Sequence, residues 1–397
     1  MKKLLVILFA VSFGISNAQV TMVGLSPKGG YSNHGTLFTV NSTGNIETLF
    51  NFNEGVTGCT PTGGIVQDTI NNCLYGVTAG CGTNGMGTLF RYDIQHHSAD
   101  KLVDFTSALG AGPTGSLILS SDGNLYGMTN AGGAADVGTI FKCTPDGEVT
   151  ILVSFNKTNG AYPLGSLKEG KDGYFYGMTR LGGANDQGEI FKYSPFDGLT
   201  VLHSFNGIDG SQPQGNVTIV RDSLLYGLTF MGGVNETGVI FSCSTSGKFN
   251  MLNSFSASTG SEPLGSLLNT GDGYLYGTTY TGGASNFGTL FRCNESGKIA
   301  VLVNFNDTNG ANPMGTLSMA TDGNIYGVTK KGGISGDAGV IFRYTVSSAI
   351  VESVYEFGGN SSQIAQGGLI EMTKNSGFSE MASNRRFHKA SAHKSRN

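Results

Sequence analysis

The chain repeats itself every fifty residues or so, and this period limits its fold more than any other property of the sequence. The segment NLYGMTNAGGAADVGTIF at 124–141 returns as YFYGMTRLGGANDQGEIF at 174–191, LLYGLTFMGGVNETGVIF at 224–241 and YLYGTTYTGGASNFGTLF at 274–291. One residue longer, it returns again as NIYGVTKKGGISGDAGVIF at 324–342. Upstream, CLYGVTAGCGTNGMGTLF (73–90) and the more divergent MVGLSPKGGYSNHGTLF (22–38) bring the copies to seven. The motif glycine falls at Gly24, Gly76, Gly127, Gly177, Gly227, Gly277 and Gly327, in steps of 52, 51, 50, 50, 50 and 50. A period of this length marks one supersecondary unit that buries its apolar faces against its neighbours.

Each period reads as four strands, in the third unit GSLIL (115–119), NLYGMT (124–129), GTIFKC (138–143) and VTILVSF (149–155). Ser121-Asp122-Gly123 and Pro145-Asp146-Gly147 make tight hairpin turns, because Asp-Gly supplies the positive φ such turns need. The other two connections, NAGGAADV and NKTNGAYPL, are long, and antiparallel order places both on one face of every unit. Seven four-stranded units fit an all-β, seven-bladed β-propeller of antiparallel blades. The ends support closure of the ring: GGLIEM (367–372) aligns with GSLIL and VTMVGLS (20–26) with NLYGMT, so the N-terminal and C-terminal strands pair in one blade. Composition agrees. Gly is 63 of 397 residues, the excess being the same turn positions copied seven times, and 39 % hydrophobic residues are too many for a disordered chain.

The chain divides into a signal peptide at 1–18, the ring at 19–373 and a disordered basic tail at 374–397. Lys2 and Lys3, the apolar run LLVILFAVSFGI and Ser16-Asn17-Ala18 have the layout of a secretory signal cleaved near Ala18, which implies a secreted or cell-surface protein. No segment has the roughly 20 apolar residues of a membrane span. Six bases of the tail oppose the single acid Glu380, which leaves residues 19–373 with 16 bases, 27 acids and a net charge of −11. An acidic body is a poor nucleic-acid binder.

The recurring Tyr-Gly-x-Thr, Gly-Gly, Gly-x-(Ile/Leu)-Phe, Ser-Phe and Pro-x-Gly elements resemble the GloVer tandem repeat of the choice-of-anchor proteins, a bacterial family of exported repeat proteins. The resemblance covers about residues 20–373. It implies export and attachment through a C-terminal anchor, and no established catalytic activity. Two departures stand out: Gly80-Cys81-Gly82 replaces a plain Gly-Gly, and the tail lacks a Pro-Asn-Pro-bearing β-domain.

Aromatic residues at one place in every unit, such as Tyr126 and Phe155, are expected to form the packing layer between blades, and the Asp-Gly aspartates Asp122, Asp172, Asp272 and Asp322 to be structural. Cys143, Cys243 and Cys293 share one position and act as buried small hydrophobes. Cys59 and Cys81 depart from the repeat in loops on the same face, and are expected to form a disulfide, as an exported protein allows. No zinc spacing occurs.

The candidate binding ring lies two residues before the glycine that opens the third strand: Asn33, Gly85, Asp136, Asp186, Glu236, Asn286 and Asp337. If the loop before them crosses from the outer edge of one blade to the axis of the next, these side chains circle the channel mouth and suit Ca²⁺ or sugar hydroxyls. If the other long loop makes the crossover, they move outward. Arg91, Lys142, Lys192, Arg292 and Arg343 at the far end of that strand would give a basic opposite face. No cofactor other than Ca²⁺ is suggested, and His34 and His203 are isolated departures with no nucleophile motif beside them. The expected function is a monomeric binding or adhesion module for an extracellular glycan or surface protein. The alternatives are an extracellular carbohydrate-active hydrolase or lyase, and a structural envelope component.

Overall fold

The computed structural model describes residues 19–358 and 367–373; the expected signal peptide at 1–18 and the expected disordered tail at 374–397 lie outside the described residues. Seven antiparallel sheets follow one another around an axis, and no helix occurs among the described residues. Blade 3 is representative, with strands Ile118–Leu119, Leu125–Thr129, Thr139–Cys143 and Val149–Ser154 hydrogen-bonded in chain order. The first strand of every unit lines the axis, so the fourth is the outer edge. The connection after the fourth strand, NKTNGAYPL in blade 3, therefore carries the chain inward to the next blade.

That innermost strand forms a shorter ladder than its sequence suggests. Only Ile118 and Leu119 pair with the second strand. The Ser116 amide instead donates to Ser166 Oγ of blade 4 at 2.7 Å. The same link runs from Gly64 to Ser116 and from Asn216 to Ser266, both at 2.7 Å, and from Ser166 to Asn216. Just before these residues, Gly63, Gly115, Gly165, Gly215, Gly265, Gly315 and Gly367 form a belt around the axis. A Cβ on Gly63 would lie 2.5 Å from the Gly115 carbonyl oxygen, and those on Gly115, Gly165, Gly215, Gly265 and Gly367 would stand closer still to the next glycine's carbonyl. Only glycine lets inner strands meet backbone to backbone, which accounts for the Gly of Pro-x-Gly.

Between blades, the repeated aromatics form a sevenfold seam. Phe52–Phe90, Phe105–Phe141, Phe155–Phe191, Phe205–Phe241, Phe255–Phe291, Phe305–Phe342 and Phe357–Phe38 meet with centroids 4.9–6.2 Å apart and steep interplanar angles. Each ring's burial contributes about 1.5–3 kcal/mol, and an edge-to-face pair roughly 0.5–1.5 kcal/mol more. The third-strand phenylalanine lies over the glycine of Tyr-Gly-x-Thr, so that a Cβ on Gly127 would stand 2.6 Å from Phe141. The tyrosines are buried too, and their hydroxyls donate to the turn aspartates: Tyr126 to Asp122 at 2.8 Å, Tyr176 to Asp172 at 2.6 Å, Tyr276 to Asp272 at 2.7 Å and Tyr326 to Asp322 at 2.8 Å. The aspartate thus shapes its turn and receives a buried phenol. Burial and the neighbouring carboxylate push the Tyr276 and Tyr326 pKa values up to about 12.

Closure joins the two ends of the chain in blade 1. Ile370–Glu371 pairs antiparallel with Thr21–Ser26 (Val23 opposite Ile370, Met22 opposite Glu371) and supplies the innermost strand. Glu371 accepts from the Thr321 amide and hydroxyl of blade 7 at 2.7 and 2.6 Å, and Thr373 exchanges two 2.9 Å bonds with the Gln67 side chain of blade 2.

Candidate functional site

The strand order makes the other long loop the crossover, so the expected ring of residues does not circle the channel mouth. Asn33, Gly85, Asp136, Asp186, Glu236, Asn286 and Asp337 sit in the loop between the second and third strands, away from the axial strand. They are exposed at the loop tips. Each of the six non-glycine residues is left-handed, with φ between 53° and 60°, and Gly85 has φ 70°. Asp136 accepts from the Gly132 amide at 2.9 Å, Asp186 from Gly182 at 2.8 Å, Asn286 from Gly282 at 3.0 Å, Asn33 from Gly29 at 2.9 Å and Asp337 from Gly332 at 2.8 Å. Asn, Asp and Gly fill six of the seven positions because these residues tolerate the left-handed region, and Asn and Asp can bond locally to the backbone; Glu236 takes the seventh. Among the described residues no cluster of three or more His, Cys, Asp or Glu could hold a metal ion.

Four of the five residues of the basic column, all but Lys142, are engaged by neighbours. Arg91 pairs with Asp100 at 3.0 Å, Arg343 with Glu352 at 2.5 Å, Lys192 lies 4.6 Å over the Tyr174 ring and Arg292 4.2 Å over Tyr274. His203 stacks on Phe249 with centroids 3.7 Å apart and bonds Asp209 at 3.0 Å; burial lowers its pKa. Cys59 and Cys81 are joined in a disulfide, Cα–Cα 5.2 Å, which fastens the crossover into blade 2 to the end of that blade's second strand. Cys143, Cys243 and Cys293 are free and buried, and desolvation raises their thiol pKa values to about 11, 11 and 12.

The repeat departs most from its own pattern in a few variable columns. Two columns meet on the long-loop face, two residues before the channel-lining positions Thr62, Leu164, Gln214, Leu264 and Met314 in the crossover. One is the crossover residue just before the proline: Thr60, Gly112, Tyr162, Gln212, Glu262 and Asn312, all with positive φ. The other follows the motif threonine: Ala79, Asn130, Arg180, Phe230, Tyr280 and Lys330. Backbone bonds from Asn130 to Gly112 (3.2 Å), Arg180 to Tyr162 (3.4 Å), Phe230 to Gln212 (3.3 Å) and Tyr280 to Glu262 (3.1 Å) place the columns side by side.

Blades 2 and 3 contribute Thr60, Ala79, Gly112 and Asn130 there, whereas the rings and the charged side chains, Tyr162, Arg180, Phe230, Glu262, Tyr280 and Lys330, all come from blades 4 to 7. Arg180 Nε and Nη2 both reach Gln212 Oε1 at 3.3 Å. Asn312 Nδ2 donates to the Tyr280 carbonyl at 2.9 Å, and Lys330 bonds the Tyr280 hydroxyl at 3.3 Å. Tyr162, Arg180, Gln212, Phe230, Glu262, Tyr280, Asn312 and Lys330 are each half-buried. Among the described residues this face therefore carries an arc of aromatic rings and polar or charged groups on blades 4 to 7, held by neighbouring loops. An alignment of the seven units that scored where they differ, and not where they agree, would have found it.

Inside the ring is a cavity of about 760 Å³ walled by the innermost strands. Its wall column is Val66, Ile118, Lys168, Thr218, Leu268, Ser318 and Ile370, in which Lys168 alone is charged. A second departure is buried in blade 4. Glu189 replaces the threonine found at Thr88, Thr139 and Thr289; there the hydroxyl meets a second-strand threonine, as Thr139 does Thr129 at 2.8 Å. Glu189 Oε1 accepts from Ser204 at 2.8 Å, while Glu189 Oε2 and Thr179 Oγ1 have no partner among the described residues. Burial raises the Glu189 pKa.

The sequence profile of the Gloeobacter/Verrucomicrobia repeat family matches residues 12–223 and 165–386. Among solved structures, the periplasmic gluconolactonase of Pseudomonas aeruginosa is 14 % identical, with 89 % of this chain and 99 % of that one covered at a TM-score of 0.57. A puromycin-hydrolyzing peptidase of Mycobacterium tuberculosis is also 14 % identical, with 81 % and 48 % covered at 0.54. At such identity these likenesses speak to the fold alone. No curated protein matches the chain.

Proposed function

We propose that this chain, which belongs to the Gloeobacter/Verrucomicrobia repeat family, is an exported, monomeric binding module whose long-loop mouth takes an extracellular glycan. The observation that carries this is the arc on blades 4 to 7. Tyr162, Phe230 and Tyr280 offer faces on which the apolar side of a sugar ring can stack, while Arg180, Gln212, Glu262, Asn312 and Lys330 offer donors and acceptors to its hydroxyls. Hydroxyl-rich ligands favour such pairings, since an aromatic supplies area and a fixed planar group supplies direction. Among the described residues, blades 2 and 3 place only Thr60, Ala79, Gly112 and Asn130 at the same positions. Export is supported by the signal-like segment 1–18 and by the Cys59–Cys81 disulfide, a bond that persists in oxidising compartments.

A glycan array probed with the chain tests the proposal. Binding to a defined set of glycans, lost in Tyr162→Ala and Tyr280→Ala but kept in Asn130→Ala, supports it. Reducing-sugar release from a bound glycan would replace it with the hydrolase alternative, and an empty array beside binding to a surface protein would replace the ligand class.

A further inference from the structure

Lys168 places an ammonium in the central cavity with no hydrogen-bond or ionic partner among the described residues. Nothing in the fold requires it there, because six other blades fill the same column with Val, Ile, Thr, Leu, Ser and Ile. The Lys168 side chain is exposed to the solvent that fills the cavity, and the surrounding walls shift its pKa downward by desolvation. An ammonium that lines a cavity without a carboxylate partner is suited to a charge-assisted bond with an anionic ligand.

The belt of inter-blade bonds supplies further donors. Ser116, Ser166 and Ser266 each spend an oxygen lone pair on a neighbouring blade's amide, and Asn216 spends its carbonyl oxygen likewise. Their hydroxyl protons and the Asn216 amino group have no protein acceptor among the described residues, and all four line the cavity. In the next wall column, Thr218 and Ser318 have already committed their protons to the Leu267 and Leu369 carbonyls. Two acids also line the cavity, Glu169 and Glu371, but each has both oxygens engaged by a residue of the preceding blade, Ser121 or Thr321. The remaining wall is aliphatic, with Val66, Ile118, Leu268 and Ile370.

We propose that the central cavity binds a small organic carboxylate with an apolar body, its carboxylate on Lys168 and the Ser116–Ser166–Asn216–Ser266 belt and its body against Ile118, Leu268 and Ile370. This site is distinct from the long-loop mouth and does not rest on the glycan proposal.

Hexanoate, acetate and inorganic phosphate serve as probes, titrated calorimetrically into the full chain, with isoleucine-methyl NMR to locate the ligand. Hexanoate is expected to bind more tightly than acetate or phosphate and to shift the methyls of Ile118 and Ile370. Lys168→Met, which matches the aliphatic column and so keeps the fold, is expected to weaken hexanoate by about tenfold or more. Lys168→Arg should retain it within about threefold, and Tyr280→Ala should leave it unchanged. The proposal is overturned by hexanoate heats that are absent up to millimolar concentration, by equal affinity in Lys168→Met, by phosphate binding as tightly as hexanoate, or by methyl shifts confined to residues outside the cavity.

Discussion

The ring is covalently continuous through six blades and clasped non-covalently in the seventh, so one buried leucine should matter differently in the two settings. Leu369 on the closing strand is 1 % exposed and packs in the cluster of Met22, Phe38, Tyr326 and Phe357; Leu167, its counterpart in blade 4, is 0 % exposed. Truncation to alanine removes three carbons from either, about 2.4 kcal/mol of transfer free energy at roughly 0.8 kcal/mol per methylene. The cavity left behind brings the total for each to about 3–4 kcal/mol, within the range of Leu→Ala changes in tight cores. Urea unfolding followed by tyrosine fluorescence, convenient because the chain has no Trp, should show both losses. The difference lies in local opening. In Leu369→Ala the strand can detach while the other six blades stay folded, so amide exchange at Thr21–Ser26 and 367–373 should accelerate by about two orders of magnitude for some 3 kcal/mol lost. In Leu167→Ala the flanking chain holds the strand, and the equivalent amides should exchange only through global unfolding. A loss under 1 kcal/mol for Leu369→Ala, or equal acceleration in both variants, would refute the reasoning.

Opening the Cys59–Cys81 loop, with its sequence separation of 22, should cost about 3 kcal/mol on the chain-entropy account, measurable as a lower urea midpoint for Cys59→Ser/Cys81→Ser. Glu189→Thr should raise stability at pH 7 by roughly 1–3 kcal/mol, since it removes an unpartnered buried oxygen. The raised Glu189 pKa means that the folded state holds a proton the unfolded chain releases. Stability should therefore fall as pH rises above the ordinary value of 4.5 through the folded pKa, and thermal melts of Glu189→Thr at pH 4.5 and 7 should differ less than those of wild type. Asp186→Asn and Asp186→Gly should stay within about 0.5 kcal/mol of wild type while Asp186→Val costs about 1–2 kcal/mol, because the column is chosen by its φ of 55°; Ca²⁺ should change none of these melting curves.

Much of the fold is legible because selection wrote it seven times. The motif glycine under Phe141, the Phe105–Phe141 type of pair and the split blade closed by Ile370–Glu371 follow from columns that never vary in kind. Which strand lies at the axis was harder to read, since two long loops share one face and either could make the crossover. A signal was present in Gly115 and its equivalents, a strand start that tolerates no Cβ, though turn glycines elsewhere in the unit obscured it. The placement of the acidic column was hidden for a related reason: Asp and Asn serve both cation binding and left-handed backbone, and spacing cannot separate the two. The mouth residues Arg180, Phe230, Tyr280 and Lys330 were invisible to a search for recurrence because their chemistry consists in not recurring.

The pairing of Thr21–Ser26 with Ile370–Glu371 also makes the starting point of the chain arbitrary. Since Met372 donates to the Thr21 carbonyl at 2.8 Å, the two ends of the described ring lie within one blade. A short linker could join them and new termini be cut at a turn such as Ser121-Asp122-Gly123, giving a circular permutant in which the clasp moves to another blade. Seven such permutants would share one set of contacts and differ only in which interface is left unstitched, so their relative stabilities would rank the interfaces directly.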